Sequence, residues 1–198
     1  APGQGKGRAG GRHVMAPSSS LVPSLARSSE DRHPHQEVAV TGRFADRAAF
    51  DAAVDAALRT AGVDLVCLAG FLRILGPAFV QAWHDRLLNI HPSLLPAFRG
   101  LDTHARAVAA GVRVHGCTVH LVRPELDAGP ILVQGLVPVL AGDTAPALAA
   151  RVLELEHRCY PKALELAASG RVEVTGDALR VRDERPGERL LLHPLLHG

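Results

Sequence analysis

Val63-Asp64-Leu65-Val66-Cys67-Leu68-Ala69-Gly70 is a short, nearly continuous apolar run that starts just after Gly62. Its length and its lack of alternation predict a central β-strand covered on both faces. Upstream, Ala45-Asp46 opens a helical stretch to Ala61, with Phe50, Val54, Ala57 and Leu58 at helical spacing and Gly62 as its stop. Downstream, a short helix around Pro77–His84 leads into a second strand, Leu87-Leu88-Asn89-Ile90-His91, ended by Pro92. A helix from about Thr103 to Ala110 follows, with Asp102 near its start and Gly111 just past its end. Strands are expected at Cys117–Val122 and Ile131–Val139, with Gly129-Pro130 in the loop between them. Asp143-Thr144 begins a long amphipathic helix, interrupted or restarted at Pro161 and stopped at Gly170. Arg171–Val174 and Ala178–Arg182 read as a terminal hairpin across Gly176-Asp177. This alternation predicts an α/β fold: a doubly wound, mostly parallel, Rossmann-like sheet that places ligands beyond the strand C-terminal ends.

The composition, 47% hydrophobic and 21% charged over 198 residues, is that of an ordinary globular domain. A net charge of +2 supplies no electrostatic argument for nucleic acid. No apolar run approaches a membrane span, and the N-terminus lacks a signal-peptide pattern. Cys67, Cys117 and Cys159 fit neither a disulfide framework nor a zinc pattern, so they read as reduced thiols in a cytoplasmic protein with no metal site. Cys67 and Cys117 are expected to be small core residues.

Residues 1–36 differ from the rest. They hold five Gly, four Pro and six Ser with few large apolar residues, and are expected to be a disordered or non-homologous tail ahead of a domain at 37–198. Gly5-Lys6-Gly7-Arg8-Ala9-Gly10 formally matches a dinucleotide fingerprint but has no strand before it and no helix after it. His33 and His35 read as part of an exposed polar tail.

Three clusters carry possible chemistry. Asn89 and His91, two apart on a strand, project from one face at its C-terminal end. An amide donor beside an imidazole can stabilise an oxyanion and move a proton, although a strand end can also simply be polar. Glu125-Leu126-Asp127-Ala128-Gly129-Pro130 holds a carboxylate that would favour a charged imidazole beside it, or is a turn and nothing more. Arg73, in Phe71-Leu72-Arg73-Ile74-Leu75, either lines a flat pocket or snorkels from a helix start.

Asn89-Ile90-His91-Pro92-Ser93-Leu94-Leu95-Pro96, His115-Gly116-Cys117-Thr118-Val119-His120 and Glu125–Ile131 together resemble the folate-dependent formyltransferases, in particular the phosphoribosylglycinamide formyltransferase family. The similarity runs in one register from about Val38 to Arg182. It implies a formyltransferase-type fold and formyl transfer from 10-formyltetrahydrofolate to the amine of glycinamide ribonucleotide in purine biosynthesis. The resemblance makes His91 the general acid, Asn89 the group that steadies the intermediate's oxygen, and Asp127 the carboxylate that favours protonated His91. It implies a folate pocket from Arg47, Leu72, Arg73, Ile74, Leu75, Asn89, Arg123, Pro124, Glu125, Leu126 and Asp127. Leu153-Glu154-Leu155-Glu156 would face the ribonucleotide, with Glu156 near its amine. No metal, nucleic acid or membrane partner is implied, and the chain would be a monomer or homodimer.

The family pattern begins with a strand and a Gly/Ser/Asn-rich phosphate loop at a helix start. No such elements precede Val38, so the N-terminal strand or strands and the phosphate loop are expected to be missing. Alternative readings follow: an incomplete or inactive folate-binding fragment or paralogue, or a formyltetrahydrofolate deformylase or tRNA formyltransferase type of enzyme. Transfer-RNA formyltransferases carry an added C-terminal domain, and deformylases a regulatory front domain and usually a second histidine where Pro92 stands.

Overall fold

The computed structural model describes residues 44–70 and 73–183, with Val40 and the strand segments Ser24–Ala26, Gln36–Glu37 and Leu191–Leu192. In chain order the elements are β1 (Ser24–Ala26), β2 (Gln36–Glu37), α1 (Arg47–Thr60), β3 (Leu65–Leu68), α2 (Pro77–Ala82) and β4 (Leu87–His91). They continue with α3 (Thr103–Ala109), β5 (Val114–Leu121), β6 (Ile131–Pro138), α4 (Ala145–Ala168), β7 (Val172–Thr175), β8 (Ala178–Val181) and β9 (Leu191–Leu192). The main sheet has the order β2-β1-β3-β4-β5-β6-β9, and β7 and β8 form a separate antiparallel hairpin.

The α/β architecture agrees with the sequence, but the sheet is mixed rather than mostly parallel. β3–β4 and β6–β9 are parallel, whereas β1–β2, β1–β3, β4–β5 and β5–β6 are antiparallel. Strand direction depends on how the chain returns after α3, and an apolar run does not record that. A second difference lies at the N-terminal end. β1 pairs antiparallel with β3, with Leu25 opposite Val66, so strand structure does precede Val38 and falls within the segment set apart by composition. The Gly5–Gly10 fingerprint, His33 and His35 lie outside the described residues.

Local physics explains the helices. Asp46 caps α1, its carboxylate accepting the Ala49 N–H at 2.8 Å, and Phe50, Val54 and Leu58 bury one stripe. α4 is capped by Thr144 and buries Leu148, Val152, Leu155, Cys159 and Ala163. It runs unbroken through Pro161, correcting the expected interruption. Pro161 and His157 both lie on the exposed side, so the carbonyl deprived of its helical partner faces water. Asp102 stands at the N-cap of α3, where its carbonyl accepts the Arg106 N–H at 3.0 Å, but its backbone is left-handed and its side chain makes no cap hydrogen bond.

Two layers cover the sheet. Val66, Leu68 and Leu87 pack with α1 and α2 around Phe79 and buried Trp83, whose indole donates to Asp55 at 2.9 Å. Leu65, Leu88, Cys117, Val119 and Leu121 pack with α4 on the opposite face. The Tyr160 hydroxyl of α4 donates to the Leu68 carbonyl at 2.8 Å, tying that helix to the end of β3. Cys67, Cys117 and Cys159 are buried free thiols, and burial pushes Cys67 up to about 11, which keeps it protonated and inert.

β5 and β6 meet through glycines. A Cβ on Gly116 would collide with the Gly135 carbonyl, and one on Gly135 would lie 2.6 Å from the Cys159 sulfur. Gly116→Ala is therefore expected to destabilise the fold by about 3 kcal/mol, because backbone rather than a movable side chain must give way. Chemical denaturation measures this, and a midpoint equal to wild type would show that the strands can part freely.

Candidate active site

The alternation of strand side chains puts Asn89 and His91 on the same sheet face as Leu87, the face covered by α1 and α2. The antiparallel register sets Asn89 opposite His120 and His91 opposite Thr118. Pro92 turns the chain out of β4 directly after His91, so both groups sit where the strand ends.

His91 is 6% exposed and held at both nitrogens. Its Nδ1 lies 3.4 Å from Asp127 Oδ1, and its Nε2 lies 3.0 Å from the Phe98 carbonyl. Both neighbours are oxygen acceptors, so an imidazole with a proton on each nitrogen satisfies them together. The other Asp127 oxygen accepts the Gly100 N–H at 2.7 Å. The loop after β4 thus supplies a backbone partner to each member of the pair. Asp127 itself sits at φ 47°, a left-handed turn geometry that short polar side chains tolerate. From there, on the loop that joins β5 to β6, its carboxylate reaches back to His91.

Three further histidines lie around the pair, and the sequence reading assigned them no role. His115 packs edge-on against Phe98 and His104, with ring centroids at 5.7 and 5.3 Å, and His120 is buried on β5. The alternation of His120 with Thr118 on β5 was a usable signal, but only the register shows which strand they face. Burial, and then the neighbouring His104, pushes His115 down to about 4. Burial likewise lowers His104 and His120. Between pH 6.5 and 4 the unfolded chain takes up a proton that folded His115 refuses. Stability is therefore expected to fall as the pH drops through that window and to be unaffected by this group above it. Urea midpoints against pH should show a shallower acid slope in His115→Gln; an unchanged slope would remove His115 as the cause.

The other expected site residues are distributed unevenly. Arg47 opens α1 and is exposed; Arg73 is exposed and stacks over Phe50 of the same helix at 4.4 Å. Asp51, next along α1, accepts the Gly76 N–H at 2.7 Å, so α1 holds both ends of Arg73–Gly76. Ile74 is 62% exposed, Leu75 is half-buried against the α1–α2 core, and Leu72 lies outside the described residues. Pro124, Glu125 and Leu126 are exposed on the loop that carries Asp127. Arg123 is buried, with its guanidinium 2.6 Å from Asp85, so it anchors the loop that carries Asp127.

Leu153–Glu156 lies in the middle of α4. Leu155 is a core side chain, Leu153 and Glu154 are exposed, and α4 covers the opposite sheet face. Glu156 is half-buried, and burial raises its carboxyl above the usual range.

The formyl transferase family model matches residues 6–164. The chain belongs to the formyl transferase family. That match begins inside the 1–36 segment. This formyl transferase is 43% identical over 146 residues to the phosphoribosylglycinamide formyltransferase of Escherichia coli, covering 74% of the chain and 69% of that protein. It is 52% identical over 139 residues, 70% of the chain, to the chicken (Gallus gallus) trifunctional purine biosynthetic protein adenosine-3, but spans only 14% of that protein's length. The fold is similar to that of phosphoribosylglycinamide formyltransferase from Anaplasma phagocytophilum, with a TM-score of 0.66, 47% identity, and coverage of 71% of this chain and 68% of that one. A formyltetrahydrofolate deformylase from Pseudomonas syringae is 32% identical, with a TM-score of 0.64, covering 67% of this chain and 44% of that one.

Proposed function

We propose that this formyl transferase moves a formyl group from 10-formyltetrahydrofolate to the amine of glycinamide ribonucleotide. The observation that carries the reading is the buried His91–Asp127 pair beside Asn89 at the end of β4. As the amine adds to the formyl carbon, negative charge develops on the formyl oxygen, where the Asn89 amide would donate. His91 would give a proton to the departing nitrogen as its bond to the formyl carbon breaks, and the proton released by the attacking amine would return to the ring, with Asp127 holding its charged form. The bound folate supplies only the activated formyl group. Exposed Ile74 and Leu126 would meet an apolar ring system, and exposed Arg47 on α1 and Arg73 on the loop between β3 and α2 would meet an anionic tail.

Higher identity to the phosphoribosylglycinamide formyltransferases than to the deformylase supports an amine, not water, as acceptor. Glu156, half-buried on α4, would stand near the ribonucleotide's amine, as the family resemblance implies. Among the described residues no helix is long and apolar enough to cross a membrane, and three buried free thiols suit a reducing cytoplasm. The chain would act as a monomer or homodimer.

The test is turnover of 10-formyltetrahydrofolate with and without glycinamide ribonucleotide. Formylation of the ribonucleotide is the expected result. Formate release without an amine would favour the deformylase reading, and binding of a folate analogue without turnover would favour an incomplete site with missing phosphate-loop elements.

A further inference from the structure

We infer that Gln134, on β6, is a positioning residue for the His91–Asp127 pair; this rests on the catalytic reading above and extends it to a further strand. The loop from Pro92 to Gly100 carries both backbone partners of the pair, the Phe98 carbonyl and the Gly100 N–H. Two side chains hold that loop where it leaves β4. Thr118 donates to the Ser93 carbonyl at 2.7 Å and accepts the Leu95 N–H at 3.0 Å. The Gln134 amide nitrogen donates to the Leu95 carbonyl at 2.9 Å and to the Thr118 hydroxyl oxygen at 3.0 Å.

These contacts saturate the groups involved. A hydroxyl has one proton and two lone pairs, and Thr118 uses all three. The amide nitrogen has two protons, and Gln134 uses both. The Leu95 carbonyl only accepts, which sets which end of the amide faces it. Ser93 and Thr118 are fully buried and Leu95 is 6% exposed, so little water is at hand to replace a lost partner. The strand register adds the geometric link: His91, Thr118 and Gln134 stand opposite one another on three successive strands. One rung of the sheet therefore connects Gln134 to the origin of the loop whose far end holds the pair.

Gln134→Glu keeps the shape and removes the donor protons. It leaves the Leu95 carbonyl facing a carboxylate, and the loop must shift to separate them. A displacement on the scale of 1 Å costs on the order of 100-fold in rate. We expect kcat for formyl transfer to fall about 10- to 100-fold while KM for the folate stays within about threefold. Amide hydrogen exchange should speed up at Leu95 and Gly100 together. A lowered melting temperature with kcat and Gly100 exchange unchanged would reduce Gln134 to a structural role and overturn the inference. If that variant fails to fold, Gln134→Met, which removes the donor without adding a charge, is read the same way: faster exchange than wild type at both amides supports the inference, and wild-type exchange at Gly100 overturns it. A wild-type chain with no formyl transfer would sink the functional reading, whereas the exchange experiment would still report whether Gln134 holds the loop.

Discussion

Replacing His91 with alanine is expected to lower formyl transfer at least ~100-fold, the scale of one lost proton-transfer group. The ring is 6% exposed and both of its nitrogens face acceptors in the folded chain, so no solvent molecule inherits its position readily. The Phe98 carbonyl and one Asp127 oxygen lose their partner, which costs stability as well as rate. A thermal melt separates the two, because a folded variant with lost rate assigns the loss to chemistry. Affinity for a folate analogue should change much less than the rate. Equal losses in both would place His91 in the pocket wall instead.

Asp127→Asn is expected to cost at least ~100-fold as well, through a different route. Its two carboxylate oxygens serve His91 Nδ1 and the Gly100 N–H. Asparagine has one carbonyl oxygen and one amide donor to place in the same two positions. Keeping the oxygen on Gly100 turns the amide N–H toward His91 Nδ1, which must then accept rather than donate. The ring is left with its proton on Nε2 alone, and the doubly protonated acid is lost. Protection of the Gly100 amide should survive in this variant, which distinguishes it from loop collapse. A rate within about threefold of wild type would eliminate the ion pair from catalysis and return Asp127 to a turn residue.

Much of the layout was legible because it depends on local pattern. Phe50, Val54 and Leu58 recur at helical spacing, and β4 begins and ends where its apolar run does, at Leu87 and His91. The Asn-x-His spacing on a strand placed both groups on one face by geometry alone. Pro161 misled, since a proline stops a helix only where its freed carbonyl has nowhere to go, and here that carbonyl meets water. The mostly parallel sheet also failed as an expectation, because two antiparallel neighbours with covered faces read like parallel ones.

By itself the sequence determined the helices, the central strands, the Asn89–His91 face and the membership signalled by three ordered motifs. The resemblance named Asp127, but only tertiary structure brought the site together. Asp127 lies 36 residues beyond His91 in the chain, and Thr118 and Gln134 join the same rung from other strands. Such proximity arises from strand direction, register and the way loops turn back. Those depend on contacts between segments far apart in the chain, which hydrophobic periodicity and spacing do not encode.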